Sequence, residues 1–343
     1  MDLLDPQRFS AQLQLRYVAD TDPGITRVRR GRGFSFHGPD GRLLSGQARD
    51  RCVRLAVPPA WREVWICPDD DGHLQATGID DAERRQYRYH DRWTEGRRLA
   101  NFDRLLGIGE RLADVRRELD GVLGDELDPV RRATAAMVRL VDAGTARIGG
   151  IRSAREFGHF GVSTLRAEHV AVDGDHITLL YPGKSGVERH VEVDDPLLAD
   201  VLAHLEVASE QVFEIRDGDR THRLSAVDAN ELLAELSGGA LTCKDFRTWG
   251  GSAVALQART DGADEVAAVD AAAAALGNTR AVARSSYVHP DVGGAPAEEV
   301  ADVWRASRAS TRYDRRERAL LKLLEQRPPL LDRWMRDDAV SGS

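Results

Sequence analysis

HVAVDGDHITLLYPGKSGVERHVEV, residues 169–193, alternates apolar and polar positions in short runs separated by Asp-Gly and by Pro-Gly-Lys-Ser-Gly. Period-two runs broken by such turn residues predict three antiparallel strands joined by tight hairpins. On both sides of them the period is helical. Upstream, NFDRLLGIGERLADVRREL (101–119) carries Phe102, Leu105, Leu106, Leu112, Val115 and Leu119 at helical spacing. PVRRATAAMVRLVDA (129–143) is bracketed by Asp128 as N-cap, Pro129 in the first turn and Gly144 as a stop. Downstream, SAVDANELLAELS (225–237) resumes the helical period, and Thr242-Cys243-Lys244-Asp245 fits a capping box opening CKDFRTWGGSAVALQA (243–258). RRERALLKLLEQRPPLLDRWMR (315–336) reads as a further helix interrupted at Pro328-Pro329. A short sheet is thus set inside a mainly helical domain.

Before residue 96 the pattern differs. GITRVRRGRGFSFHGPDG (24–41) and VWICPDDDGHLQATGID (64–80) are strand runs punctuated by Gly, Pro and Asp-Gly turns. The expected class is therefore α+β. A small β-rich domain spans 1–95, and a larger mainly helical domain with a three-stranded antiparallel sheet spans 96–343. A chain of 343 residues suits two domains.

Composition narrows the function. Cys52, Cys67 and Cys243 are scattered without C-x-x-C spacing, as expected of reduced thiols in a cytoplasmic protein with no zinc site. No signal segment is recognisable, and AAVDAAAAAL (267–276) is too short and alanine-rich for a membrane span. Net charge is −8, yet residues 1–117 carry +3 and the remainder −11. RVRRGR (27–32) and RRQYRYHDRW (84–93) are local basic patches of the kind that meet nucleic acid. GKS in YPGKSG is not a P-loop: Thr178 stands where that motif needs glycine, and a strand follows. Neither H-E-x-x-H nor a calcium-loop pattern is present, so no metal or other cofactor is expected.

Of 48 basic residues only Lys184, Lys244 and Lys322 are lysine. Lys184 falls at a hairpin tip, where arginine would be equally soluble: either one of three lysines simply falls there, or the site needs a proton that can be transferred. Further groups recur around it: Arg147 in TARIGG (145–150), Lys244 and Arg247 in KDFRTWG (244–250), Asn278 and Tyr287 in LGNTRAVARSSYVHP (276–290). Singly, each suits a surface charge, a turn or half-buried packing.

In this order, ARIG, the hairpin GK, KDFRTWG, and LGNT followed by SSYVHP resemble the type IB DNA topoisomerases, in particular their compact poxvirus and bacterial branch. The likeness covers roughly residues 25 to 295. It includes RDRCVRLAVPPAWREVWICPDDDGHLQATGIDDAERRQYRYH (49–90), which is similar to that family's DNA-clamping β domain. The resemblance implies a tyrosine recombinase/topoisomerase-like catalytic fold, with Tyr287 as nucleophile, Arg147, Arg247 and Asn278 on the phosphate, and Lys184 as general acid. Chemistry agrees. A phenolic oxygen can attack phosphorus without water or metal, arginine forks suit spread-out negative charge, and lysine is a better proton donor than arginine. The family often has histidine where Asn278 stands; asparagine brings neither charge nor proton. Lys244, three residues before Arg247 on one helical face, points to the same phosphates or simply into solvent. Gln86, Tyr87 and Tyr89 match the family's Q-Y-x-Y segment in the DNA major groove, with a pair of structural tyrosines as the alternative. Gly150 replaces a base-contacting lysine of poxvirus members, so no sequence preference carries over. His159, His169 and His289 are taken as structural or peripheral.

The expected activity is relaxation of supercoiled duplex DNA through a 3′-phosphotyrosyl intermediate, strand rotation and religation, without ATP or metal. The protein is expected to act as a monomeric clamp at the nucleoid in the cytoplasm of a bacterium. A tyrosine recombinase, which would normally carry H-x-x-R in place of Lys244-x-x-Arg247, and a non-catalytic DNA clamp are the alternatives.

Overall fold

The computed structural model describes residues 5–341. They fall into two units, one taking the chain up to Asp103 together with the segment from Pro329 onward, the other Arg104–Pro328.

The first unit opens with helix α1 (Pro6–Gln12), strands β1 (Ile25–Arg30) and β2 (Gly33–His37), helix α2 (Gly46–Arg54), strands β3 (Arg62–Ile66), β4 (Leu74–Ile79) and β5 (Arg85–Tyr89), and the start of helix α3 (Asp91–Leu123). The strands form one antiparallel sheet in the order β2-β1-β3-β4-β5. Ile25, Phe36, Val64, Ile66 and Ala76 pack with Cys52 of α2 into its core. Arg51 ties α2 to the β3–β4 turn by donating to the carbonyls of Cys67 and Asp69, each at 2.8 Å. The three cysteines are free and buried.

The second unit holds the rest of α3, then α4 (Pro129–Gly144), α5 (Ile151–Phe157), β6 (Val170–Asp173), β7 (His176–Pro182), β8 (Glu188–Asp194) and α6 (Pro196–Ala203). It continues with β9 (Glu214–Asp217), β10 (Arg220–Arg223), α7 (Ala226–Ser237), α8 (Cys243–Thr260), α9 (Glu265–Leu276), α10 (Arg280–Ser286), α11 (Pro290–Gly294), α12 (Ala297–Arg305) and α13 (Arg315–Glu325). The expected sheet is β6-β7-β8, antiparallel throughout; β9 and β10 form a separate two-stranded antiparallel ribbon. Asp128 caps α4 by accepting the Arg131 N–H at 2.8 Å, and Thr145 ends the helix in the left-handed region. Asp245 accepts both the N–H and the hydroxyl of Thr242 at the start of α8. Ala133, Met137, Leu140 and Val141 of α4 are wholly buried against α8 and the sheet. Behind α8, Arg116 of α3 is clamped at 2.7 Å by both Asp142 of α4 and Glu317 of α13, and Glu317 also accepts the indole N–H of Trp249 at 2.9 Å.

The last helix, α14 (Leu330–Ser341), belongs to the first unit. Leu330 and Leu331 join Phe9, Leu13, Trp93, Leu99 and Phe102 in one core, and the Asp103 carboxylate accepts their backbone N–H groups. The sequence boundary at 95/96 therefore falls inside α3, and the tail assigned to the larger domain packs with the smaller one. The cause is burial: beyond Pro328-Pro329 the apolar residues complete a core that α1 and α3 leave open.

Candidate active site

Arg147 sits in the loop after α4. Its carbonyl accepts the Val162 N–H at 2.9 Å and the Ile148 carbonyl accepts that of Ser163 at 2.7 Å, pinning the R-I-G-G segment to residues 161–163. The approach depends on glycine at both sides. A Cβ on Gly161 would lie 2.5 Å from the Gly149 Cα, and Gly149 itself has φ +86°. So held, Arg147 donates Nη2 to the Gly277 carbonyl at 3.1 Å and to the Asn278 side-chain oxygen. Gly277, in the left-handed region, ends α9 and turns Asn278 toward it.

Arg247 projects from the first turns of α8 and is 3% exposed. It donates to the carbonyls of Thr145 and Leu276, the latter at 3.1 Å. Its guanidinium carbon lies 5.1 Å from the centre of the Tyr287 ring. Tyr287 follows α10, and its backbone is fixed by Ser252 of α8. The Ser252 hydroxyl donates to the Tyr287 carbonyl at 3.2 Å and accepts the His289 N–H at 3.0 Å.

Lys184 lies on the β7–β8 turn, whose next residues, Ser185 and Gly186, have φ of 64° and 73°. It is exposed, and its ammonium has no hydrogen-bond or ion-pair partner among the described residues. Lys244 is likewise exposed at the start of α8. A cavity of about 610 Å³ collects Arg147, Lys184, Lys244, Arg247 and Tyr287 on its walls, with Phe157, His159 and Phe160 on the apolar side.

Neither aspartate nor glutamate lines this cavity. Burial, with a lesser push from Arg147, lowers the Arg247 pKa to about 10; burial also lowers that of Arg147. Arg247 nonetheless stays protonated at neutral pH. At this site two buried donors, Arg247 Nε and Asn278 Nδ2, have no hydrogen-bond partner. Unpaired buried donors beside uncompensated cations make a site built to take an anion.

Of the residues singled out in the sequence, Arg147, Lys184, Lys244, Arg247 and Tyr287 share this cavity, while Asn278 meets it through Arg147. Gln86, Tyr87 and Tyr89 lie elsewhere, on the edge strand β5 of the first unit. Tyr87 and Tyr89 stack at 6.0 Å with 50% and 39% of their surface exposed; Gln86 donates to Asp80 at 2.9 Å. Tyr17, missed in the sequence, adds an exposed ring stacked on His73 at 4.5 Å. His169 and His289 are buried and accept backbone N–H groups through Nδ1, whereas His159 reaches the cavity wall. Ser252 and Arg189 were missed as well. Arg189 had a legible signal, since it shares the buried phase of β8 with Val191 and Val193.

Among the described residues, no group of three or more His, Cys, Asp or Glu is placed to hold a metal ion, and no helix is long and apolar enough to cross a membrane.

Residues 33–80 match the family model described as bacterial DNA topoisomerase IB, N-terminal domain. Residues 92–292 match the model described as eukaryotic DNA topoisomerase I, catalytic core. The chain is also similar to DNA topoisomerase 1B of Acanthamoeba polyphaga mimivirus, with 28% identity over 242 residues, covering 68% of this chain and 72% of the viral protein. With more than half its length, including every residue of the cavity, inside the catalytic-core match, the chain belongs to the type IB DNA topoisomerase family.

Proposed function

We propose that the protein relaxes supercoiled duplex DNA by cutting and resealing one strand at the Arg147–Lys184–Arg247–Tyr287 cavity. The observation that carries this is a tyrosine set among four cations, one buried, one partly buried and two exposed, with no carboxylate on the wall and two unpartnered donors beside it. Such a site suits a phosphodiester approached by a phenolic oxygen.

The Tyr287 oxygen, its phenolic proton passed to solvent, attacks phosphorus, forming a 3′-phosphotyrosyl bond as the bond to the 5′-oxygen breaks; the tyrosine regains a proton from solvent on resealing. Arg147 and Arg247 hold the non-bridging oxygens, whose charge grows in the transition state, and the free Nδ2 of Asn278 adds a neutral donor. Arginines tied to carbonyls need not reorganise during the reaction. The departing 5′-oxygen takes a proton from Lys184, whose exposed, unpartnered tip is free to reach it. The cut strand then turns about the intact one, and the 5′-hydroxyl returns its proton and attacks the phosphotyrosine to reseal the strand. The phosphotyrosyl bond conserves the energy of the phosphodiester, so the cycle balances without ATP. Lys244 contacts an adjacent phosphate, and the Tyr87–Tyr89 surface gives the first unit its own DNA contact. The protein acts as a monomer that clamps duplex DNA, in the cytoplasm at the nucleoid.

Relaxation of a supercoiled plasmid with EDTA present and ATP absent tests this. The wild type is expected to relax it and Tyr287→Phe to leave it supercoiled. No relaxation by the wild type overturns the enzyme, and relaxation by Tyr287→Phe overturns the nucleophile. Lys184→Ala should cleave ~10²–10⁴-fold slowly on ordinary DNA and recover on a strand with a 5′-bridging sulfur, whose thiolate leaves without a proton. Absence of that recovery removes Lys184 as the acid.

A further inference from the structure

Arg189 is a buried cation that the reaction above leaves without a task. It stands on β8 opposite Tyr181 of β7, is 8% exposed, and has no carboxylate partner among the described residues. Its guanidinium reaches out of the sheet to the last turn of α9, donating Nη2 to the Ala275 carbonyl at 2.7 Å and Nη1 to that of Ala274 at 3.4 Å. It also hydrogen-bonds the buried Tyr181 hydroxyl.

Two glycines close around this side chain. A Cβ on Gly277, beside Asn278, would come within 2.7 Å of Nη1, and one on Gly183, beside Lys184, within 2.8 Å of the Arg189 Cγ. A cation at a helix C-terminus is favourable in itself. A surface lysine would serve that purpose, however, without burying a charge near Arg147 and Arg247, which Arg189 disfavours. The unusual property of Arg189 is what it connects: the root of the Lys184 turn and the Gly277–Asn278 turn that receives Arg147.

We propose that Arg189 is a positioning residue that braces the Lys184 hairpin against the Gly277–Asn278 turn, so that the proton donor and the phosphate-binding donors meet the same phosphate. It touches no reacting atom. The inference rests on the strand-cleavage reading above and adds to it a coupling between two parts of the site.

The test measures single-turnover formation of the covalent protein–DNA adduct by the full chain at a mapped cleavage site, on ordinary and 5′-bridging-sulfur strands. Arg189→Met is expected to slow cleavage ~10²-fold, as an ångström-scale misplacement does, with non-covalent DNA affinity unchanged. Part of that loss should return on the sulfur strand, where the position of Lys184 no longer matters. Combined with Asn278→Ala, the loss should be smaller than the product of the two single losses, since both act through one turn. An unslowed Arg189→Met, or a loss that multiplies with Asn278→Ala and ignores the sulfur, overturns the coupling. Should Arg189→Met fail to fold, Arg189→Lys keeps the charge but cannot span Ala274, Ala275 and Tyr181 together. It is expected to melt like the wild type yet cleave about tenfold more slowly, as a smaller misplacement would; a wild-type rate overturns the proposal. Absence of adduct from the wild type overturns the cleavage reading instead, so the two failures are distinguishable.

Discussion

Arg116 and Arg247 are the same residue in the same unit, the first mostly and the second almost fully buried, with opposite surroundings. Arg116 is held by Asp142 and Glu317 at 2.7 Å each, and these carboxylates raise its pKa above the ordinary arginine value despite burial. Arg247 has no carboxylate partner, only carbonyls and the Tyr287 hydroxyl, and burial beside Arg147 brings it down to about 10. A buried cation whose charge is already answered serves architecture. One whose charge is left unanswered stores affinity for an anion that arrives from outside.

Removing each partner separates the roles. Arg116→Ala strands two buried carboxylates and is expected to cost about 3–5 kcal/mol of stability, read as a lowered urea midpoint, with less effect on cleavage by the folded enzyme. Arg247→Met should reverse the pattern: cleavage slows by ~10²–10³-fold while the midpoint moves far less than in Arg116→Ala. Equal stability losses in the two variants would break the contrast. Asn278→Asp sharpens it by giving Arg147 the carboxylate that Arg116 enjoys. The midpoint should rise or hold while adduct formation falls by about tenfold or more, equivalent to ~1.4 kcal/mol of transition-state stabilisation; faster cleavage would contradict the anion-site account. The smallest effect belongs to the exposed Lys244. Lys244→Gln should leave the midpoint unchanged and make the slope of log affinity against log salt shallower by about 0.9, the value of one phosphate contact.

What the sequence disclosed was mostly local chemistry. Asp128 and Pro129 open α4 as read, because capping is settled within a few residues, whereas the stop read at Gly144 falls one residue later, on left-handed Thr145. Thr242 and Asp245 start α8, and the Asp-Gly and Pro-Gly-Lys-Ser-Gly turns delimit β6 to β8, for the same reason. The motifs also led to the residues that the cavity brings together. Less accessible was whatever depends on distant partners. Nothing in LLDRWMR says that its leucines will fill the gap beside Phe9 and Trp93. The tie from Arg147 to Asn278 joins residues 131 positions apart. Arg189 falls between these cases: its strand phase marked it as buried, but only the fold shows that it reaches the end of α9.

The docking of α14 bears on how the chain comes into being. A ribosome releases Phe9, Leu13, Trp93 and Phe102 long before Leu330 and Leu331, with the whole of Arg104–Pro328 in between. The sheet core of the first unit contains no late residue and can close early, but the second core of that unit must wait. Asp103 likewise keeps its carboxylate free until the amides of Leu330 and Leu331 arrive. Vectorial synthesis thus leaves the second core of the first unit open until the chain is nearly finished, long after its sheet core has had the residues to close.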